Sequence, residues 1–306
     1  PWVRAGDGRR GMCSSETCMA RRPPSRMTRW IFISDLQLKP DEPAHEERRR
    51  LLVARVAAER PDFVIDGGDH VAGQVNDEPE EARRVAQMWA AYHRVTVPLQ
   101  RVCPVIHTVG NHDQTGSPPT SDEYLRQTGR RGRRTYFAQT IGGVHMAIID
   151  TTNGRHRAGF ADHEQARWLR RDLRAARQAR CTVVVGHYPV LVAPWLLDHS
   201  SLRDGEPGSQ GLLLPMLLEA GVDLLLCGHL HAYERARFGT VTQLMPSASD
   251  MAIDDMAKPG EYRVAFDKRQ TYVRFALEDS TVRCEAVTAD GEIIDSWTQE
   301  LLPKPR

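Results

Sequence analysis

No apolar run in this chain is long enough to cross a membrane. The longest, residues 212–218 and 224–227, fall far short of the ~20 residues a helical span needs. Net charge is nearly absent at a formal +1, so neither nucleic acid nor an anionic membrane surface is expected as a partner. There is no Cys-x-x-Cys pair, and six cysteines spread over 306 residues do not make a disulfide scaffold. Cys103, Cys181 and Cys227 fall in or beside predicted core strands, where cysteine acts as a small hydrophobe. A cytoplasmic protein is the resulting expectation.

Residues 1–26 also lack something: hydrophobic periodicity. They carry six arginines against Asp7 and Glu16, with Pro23-Pro24 and no apolar stretch of the secretory-signal kind. We read them as a disordered or non-native extension. Without them the net charge falls from +1 to about −3.

What remains, residues 27–306, alternates short β-rich runs with amphipathic segments, the pattern of an α/β layered fold. Strands are predicted at residues 30–34, 63–66, 105–109, 136–139, 144–150, 182–185 and 223–227. Helices are predicted at 42–59, 80–93, 162–179 and 214–220. In the first helix Arg48, Arg49 and Arg50 read as a solvated face opposite Leu51, Leu52, Val56 and Ala57. Asp162 and Gln165 occupy capping-box positions of the third. Residues 192–210 read as a long loop that could border a site. The chemistry is expected in residues 27–240. Residues 241–306 read as strands alone, at 241–244, 271–277, 282–287 and 292–297, completing a second sheet. Asp290-Gly291 forms the last hairpin turn.

Metal-competent side chains follow the predicted strands one after another. Asp35 and Gln37 follow the first, and Asp69 and His70 the second, after Gly67-Gly68. Asn111, His112 and Asp113 follow the third after Gly110, His187 the fourth after Gly186, and His229 and His231 the fifth after Gly228. The C-terminal ends of strands in α/β sheets converge on one crevice, and a glycine lets the chain turn sharply into it. Mixed carboxylate, amide and imidazole ligation suits Mn²⁺, Fe²⁺ or Zn²⁺, with ligands enough for two ions. So many polar groups behind apolar strands would be costly to bury unpartnered.

Asp35-Leu36-Gln37, Gly68-Asp69, Gly110-Asn111-His112-Asp113, Gly186-His187 and Gly228-His229-Leu230-His231 resemble, in order, the motifs of the calcineurin-like metallophosphoesterases. The likeness spans about residues 30–235. It implies a two-sheet β-sandwich flanked by helices and a metal-dependent phosphoric ester hydrolase. One divalent ion would sit on Asp35, Gln37, Asp69 and His231, and the other on Asp69, Asn111, His187 and His229. A hydroxide between them would attack phosphorus. His112 would contact the phosphate and protonate the leaving oxygen, with Asp113 fixing its imidazole.

Gly186-His187-Tyr188-Pro189-Val190 and the run from Gly228 to Arg235 look like the purple-acid-phosphatase branch. Its tyrosinate position, however, is Ala72 here, and Gln37 replaces the usual His. The Asp-x-Gln is similar to manganese-dependent ADP-ribose and CDP-alcohol diphosphatases, and an amide oxygen favours a harder ion such as Mn²⁺. Small phosphoesters or nucleotides are the expected substrates. The alternatives are a nucleotide diphosphatase or cyclic nucleotide phosphodiesterase, and a non-catalytic scaffold of the same fold. Other polar residues carry ordinary expectations: His70 as packing, His107 as a core histidine, Asp150 as a cap or turn residue. Tyr188 and Tyr233 are expected near the metals, and Arg235 on a phosphate or on Glu234.

Overall fold

The computed structural model describes residues 27–39, 41–73, 79–116, 119–152, 163–191, 209–249, 261–301 and 303. The extension at 1–26 and most of the 192–210 loop lie outside them. Two sheets pack face to face, each covered outside by helices, as the sequence implied.

The first sheet begins with β1 (Thr28–Ile33), whose sequence TRWIFI buries both faces. α1 (Pro43–Ala58), β2 (Phe63–Asp66), α2 (Pro79–Val102) and β3 (Val105–His107) follow. β1, β2 and β3 run parallel. Ile31, Ile33 and Val64 turn outward against Leu52, Val53 and Val56 of α1 and Trp89 and Tyr92 of α2. Trp30, Phe32, Phe63 and Ile65 turn inward, where they meet the second sheet. This alternation is the two-residue period of a strand buried on both sides.

Beyond the short α3 (Asp122–Gln127), the second sheet is built from β4 (Phe137–Ile141), β5 (Val144–Ile148), β6 (Cys181–Val185), β7 (Leu224–Leu226), β8 (Tyr233–Phe238), β9 (Val241–Met245) and β10 (Arg263–Asp267). Its strand order is β10-β8-β9-β7-β6-β5-β4, with β5, β6, β7 and β9 parallel. α4 (His163–Ala175) and α5 (Ser209–Ala220) cover it through Leu169, Leu173, Leu213 and Leu217.

The tail departs from expectation. β11 (Thr271–Glu278), β12 (Thr281–Thr288) and β13 (Ile293–Glu300) join the first sheet, giving the order β13-β12-β11-β1-β2-β3, while β9 and β10 belong to the second. The tail thus divides between the sheets, because β11 pairs antiparallel with β1 from Thr28↔Leu277 to Phe32↔Val273. α2 also outruns its predicted end. Val85, Met88, Trp89, Tyr92, Val95 and Leu99 keep a helical spacing against the sheet, and that packing carries the helix past Pro98. β8 and β10 were not foreseen. Their charged side chains hid them; β8 is held in the ladder between β9 and β10, and Glu234 of β8 pairs with Arg263 of β10. Among the described residues no helix is long and apolar enough to cross a membrane.

Candidate metal centre

β1, β2 and β3 of one sheet and β6 and β7 of the other end at the same edge of the sandwich, so their following loops meet. Segment 35–38 runs against 68–70: Asp35 N–H donates to Gly68 O at 3.0 Å, Gln37 N–H to Asp69 O at 2.8 Å, and Leu38 N–H to His70 O at 3.1 Å. From the other sheet, His229 N–H donates to Asp35 Oδ1 at 3.0 Å.

Backbone strain is concentrated here. Seven described non-glycine residues have positive φ, and five of them are Asp35, Gln37, Asp69, His229 and His231. Left-handed backbone costs an L-residue roughly 1–2 kcal/mol and persists where surrounding structure enforces it, commonly at functional sites. Glycine supplies the close approach between loops. A Cβ on Gly110 would lie 2.2 Å from Asp69 N and from Asp69 Oδ1.

The side chains form two overlapping groups. Ligand atoms of Asp69, His187 and His229 lie within 4.8 Å of one another, as do those of Asp35, Asp69 and His231. Asp69 belongs to both. His187 Nε2 stands 3.2 Å from Asp69 Oδ2, and Gln37 Nε2 is 3.2 Å from the same oxygen. His229 Nδ1 is 3.0 Å from Asn111 Oδ1, and His231 Nε2 is 3.7 Å from Asp35 Oδ1. Two ligands each ~2.1 Å from a shared ion stand roughly 3.0–3.4 Å apart, so the three shorter separations suit ligation as they stand, and His231 and Asp35 would have to draw slightly closer. Turning the Gln37 amide would present its oxygen in place of its nitrogen. All seven expected ligand residues are therefore brought together, and the donor set fits two divalent ions.

Electrostatics agree with a site built for cations. Asp35 and Asp69 are fully buried. Burial works against the Asp69 carboxylate, but His187 and His112 outweigh it and hold its pKa well below the usual carboxylate range. Burial raises that of Asp35, against the pull of His187 and His231. Burial together with His187 pushes His229 down to about 3, leaving a neutral imidazole with a lone pair to give.

His112 and Asp113 do not pair as expected. His112 Nδ1 donates to Gly73 O at 2.9 Å, which leaves Nε2 facing the site, 4.0 Å from Asp69 Oδ2. Asp113 is fully buried and points the other way. Its Oδ2 accepts from Gly110 N at 2.8 Å, Asp69 N at 3.0 Å and His70 Nδ1 at 2.8 Å, while Oδ1 accepts from His70 N at 2.9 Å. The carboxylate saturates the amides of two loops, and a carbonyl is left to orient His112. His70 continues inward toward Asp66, which accepts from Tyr92 OH at 2.8 Å.

Tyr188 packs on His229 with ring centroids 4.1 Å apart. Tyr233 and Arg235 both bond Asp295 instead, and Arg235 lies over Trp297, so neither faces the centre. Asp150 is a turn residue holding Thr135 and Thr152. His107, expected in the core, is only half-buried at the end of β3, with its pKa held well below the usual imidazole value by desolvation.

Arg49 was misread as solvated: it is fully buried and bonds Leu36 O at 2.9 Å. A signal for it existed, since positions 45, 49, 52, 53 and 56 share one helical face.

The family model for calcineurin-like phosphoesterases matches residues 28–233. Purple acid phosphatase 18 of Arabidopsis thaliana is 25% identical over 158 residues, which are 49% of this chain and 35% of that relative. A purple acid phosphatase from yellow lupin (Lupinus luteus) seeds superposes with a TM-score of 0.68 at 16% identity, over 90% of this chain and 54% of its own. A dimetal phosphatase from Danio rerio does so with a TM-score of 0.65 at 14% identity, over 92% and 100%. At these identities the structures share the fold.

Proposed function

The chain belongs to the calcineurin-like phosphoesterase family, and from that premise we propose that it is a dinuclear metal-dependent hydrolase of phosphate ester bonds. The observation that carries this reading is Asp69, whose carboxylate is common to two ligand groups drawn from both sheets. Asp35, Gln37, Asp69 and His231 would hold one ion, and Asp69, Asn111, His187 and His229 the other. Two such ions would supply Lewis-acid polarisation of the phosphoryl oxygens and a nucleophile at neutral pH.

The protein's own groups do the rest. His112 Nδ1 must carry a proton to donate to the Gly73 carbonyl, so Nε2 is the atom facing the leaving oxygen, and to act as the acid it must hold a second proton, as the imidazolium. Asp113 holds the Asp69 and Gly110 amides and thereby the spacing of the two loops. The amide at Gln37 and the alanine at position 72, in place of a phenolate, favour a divalent, manganese-preferring centre over an Fe(III) one.

With every ligand position filled and His112 in place, turnover is favoured over a scaffold role. Substrates of this class would be small phosphoesters, with nucleotide pyrophosphates or cyclic nucleotides as the second reading on the strength of Gln37. The test is one activity panel with Mn²⁺, Zn²⁺ and Fe²⁺ on an aryl monoester, an aryl diester, a cyclic nucleotide and ADP-ribose. Manganese-stimulated cleavage of at least one is expected. Full activity retained by both His112→Ala and Asp69→Asn would refute the mechanism. Tight, activating zinc with no response to manganese would refute the metal preference.

A further inference from the structure

α1 carries a buried cation that the proposed chemistry does not use. Arg49 is fully buried on the face shared with His45, Leu52, Val53 and Val56. Its Nε donates to Leu36 O at 2.9 Å, and its Nη2 lies 2.9 Å from His45 Nε2. Burying a guanidinium costs several kcal/mol, and an apolar side chain of similar size is often as good or better for stability. Packing alone therefore does not account for arginine at this position.

Leu36 is the residue between Asp35 and Gln37, both in left-handed backbone with φ of 61° and 44°. Amides on either side of it are engaged with the next loop, through Asp35 to Gly68 and Gln37 to Asp69. The Leu36 carbonyl turns the other way, into the core, where a buried acceptor needs a donor. Arg49 is that donor, supplied by the helix that returns over the strand.

We propose that Arg49 is a positioning residue for the metal site formed by Asp35, Gln37 and His231, and not for the neighbouring site of Asn111, His187 and His229. The role rests on the dinuclear reading above. It acts through backbone: the guanidinium fixes the peptide that aims both Asp35 and Gln37, so its loss loosens two ligands of one ion directly and reaches the other only through the His229 N–H on Asp35. Groups of this kind, one shell out from the ion, typically change metal affinity by about 10- to 100-fold when removed.

The test is calorimetric titration of Mn²⁺ into the chelator-treated full chain. In Arg49→Met, which keeps side-chain length and removes the donors, one ion should bind as in the wild type. The other should weaken by about 10- to 100-fold. The ion affected should be the one weakened by His231→Ala, not the one weakened by His229→Ala. Arg49→Lys, which keeps the charge and N–H donors on a compact ammonium without the planar fork, should weaken the same ion less, and it carries the test if Arg49→Met does not fold. Leu52→Ala is the control: it leaves a cavity on the same helix face and should lower the unfolding midpoint without favouring either ion.

Equal affinities in wild type and Arg49→Met, or equal weakening of both ions, would overturn the positioning role. So would the same selective loss in Leu52→Ala. A wild-type chain that binds fewer than two ions would overturn the dinuclear reading itself, and is told apart because it shows before any substitution.

Discussion

Asp113 Oδ2 and His70 Nδ1 lie 2.8 Å apart, both fully buried, directly behind Asp69. The pair joins the loops that follow β2 and β3: Asp113 comes from the loop that bears His112, and His70 follows Asp69. Burial works against the His70 imidazolium, but Asp113 and Asp66 outweigh it and raise the pKa from 6.5 to about 9. Folding therefore takes up a proton on His70 between these values. Its contribution to stability is complete below pH 6.5 and disappears as pH rises through about 9. Urea midpoints of the chelator-treated protein should fall across that window, and His70→Asn should flatten the decline. An equally steep decline in His70→Asn would mean that another group titrates.

Asp69→Asn should reduce metal uptake more than any other single ligand change, because one carboxylate serves both groups. After dialysis against Mn²⁺, elemental analysis should find at most one ion per chain. Turnover should fall by about 10²–10³-fold, as when a charge-stabilising group is lost. Two ions retained at wild-type affinity would count against a shared carboxylate.

His112→Ala separates binding from proton transfer. Its imidazole is partly exposed and held at Nδ1 by Gly73, so its removal should leave metal content unchanged. Turnover of an alkyl phosphoester should drop by about 10²–10⁴-fold. An aryl ester whose leaving group needs no proton should suffer much less. The same loss on both substrates would exclude His112 as the acid.

Gly110 and Gly129 make a paired test of two reasons for glycine. Gly110 has an ordinary φ of −104°, but a Cβ there would strike Asp69 N at 2.2 Å. Gly110→Ala should therefore displace Asp69 and cost most of the metal affinity. Gly129 has φ +67° and nothing within 4 Å of the added Cβ. Gly129→Ala should cost only the left-handed strain, roughly 1–2 kcal/mol of unfolding free energy, read as a lower urea midpoint with metal binding intact.

Much of this centre is legible in the chain because the signals are local. Each candidate ligand directly follows a short apolar run, and glycine precedes most of them, so strand, turn and ligand can be read within a few residues. Failures of that reading share one cause. Arg48, Arg49 and Arg50 look alike in composition, yet successive helical residues point about 100° apart, and only the middle one faces the sheet. Asp113 looks like the natural partner of adjacent His112. Its carboxylate is instead taken by amides 42–44 residues away, and no local pattern encodes them. Arg235 and Tyr233 look like site residues by motif, but Asp295, 60 or more residues later, claims both.

The sequence by itself determined the fold class, the order of the ligand-bearing loops and the chemical types of the donors. The α/β alternation follows from apolar periodicity and the loop order from glycine at the strand ends, while the two-sheet sandwich follows from the resemblance of the motifs to the family's. Tertiary structure alone decided that β11–β13 extend the first sheet, and that Arg49 and Asp113 hold the loops from behind. Those outcomes depend on which strands pair and which polar groups are buried together, and such pairing is settled only when distant segments pack.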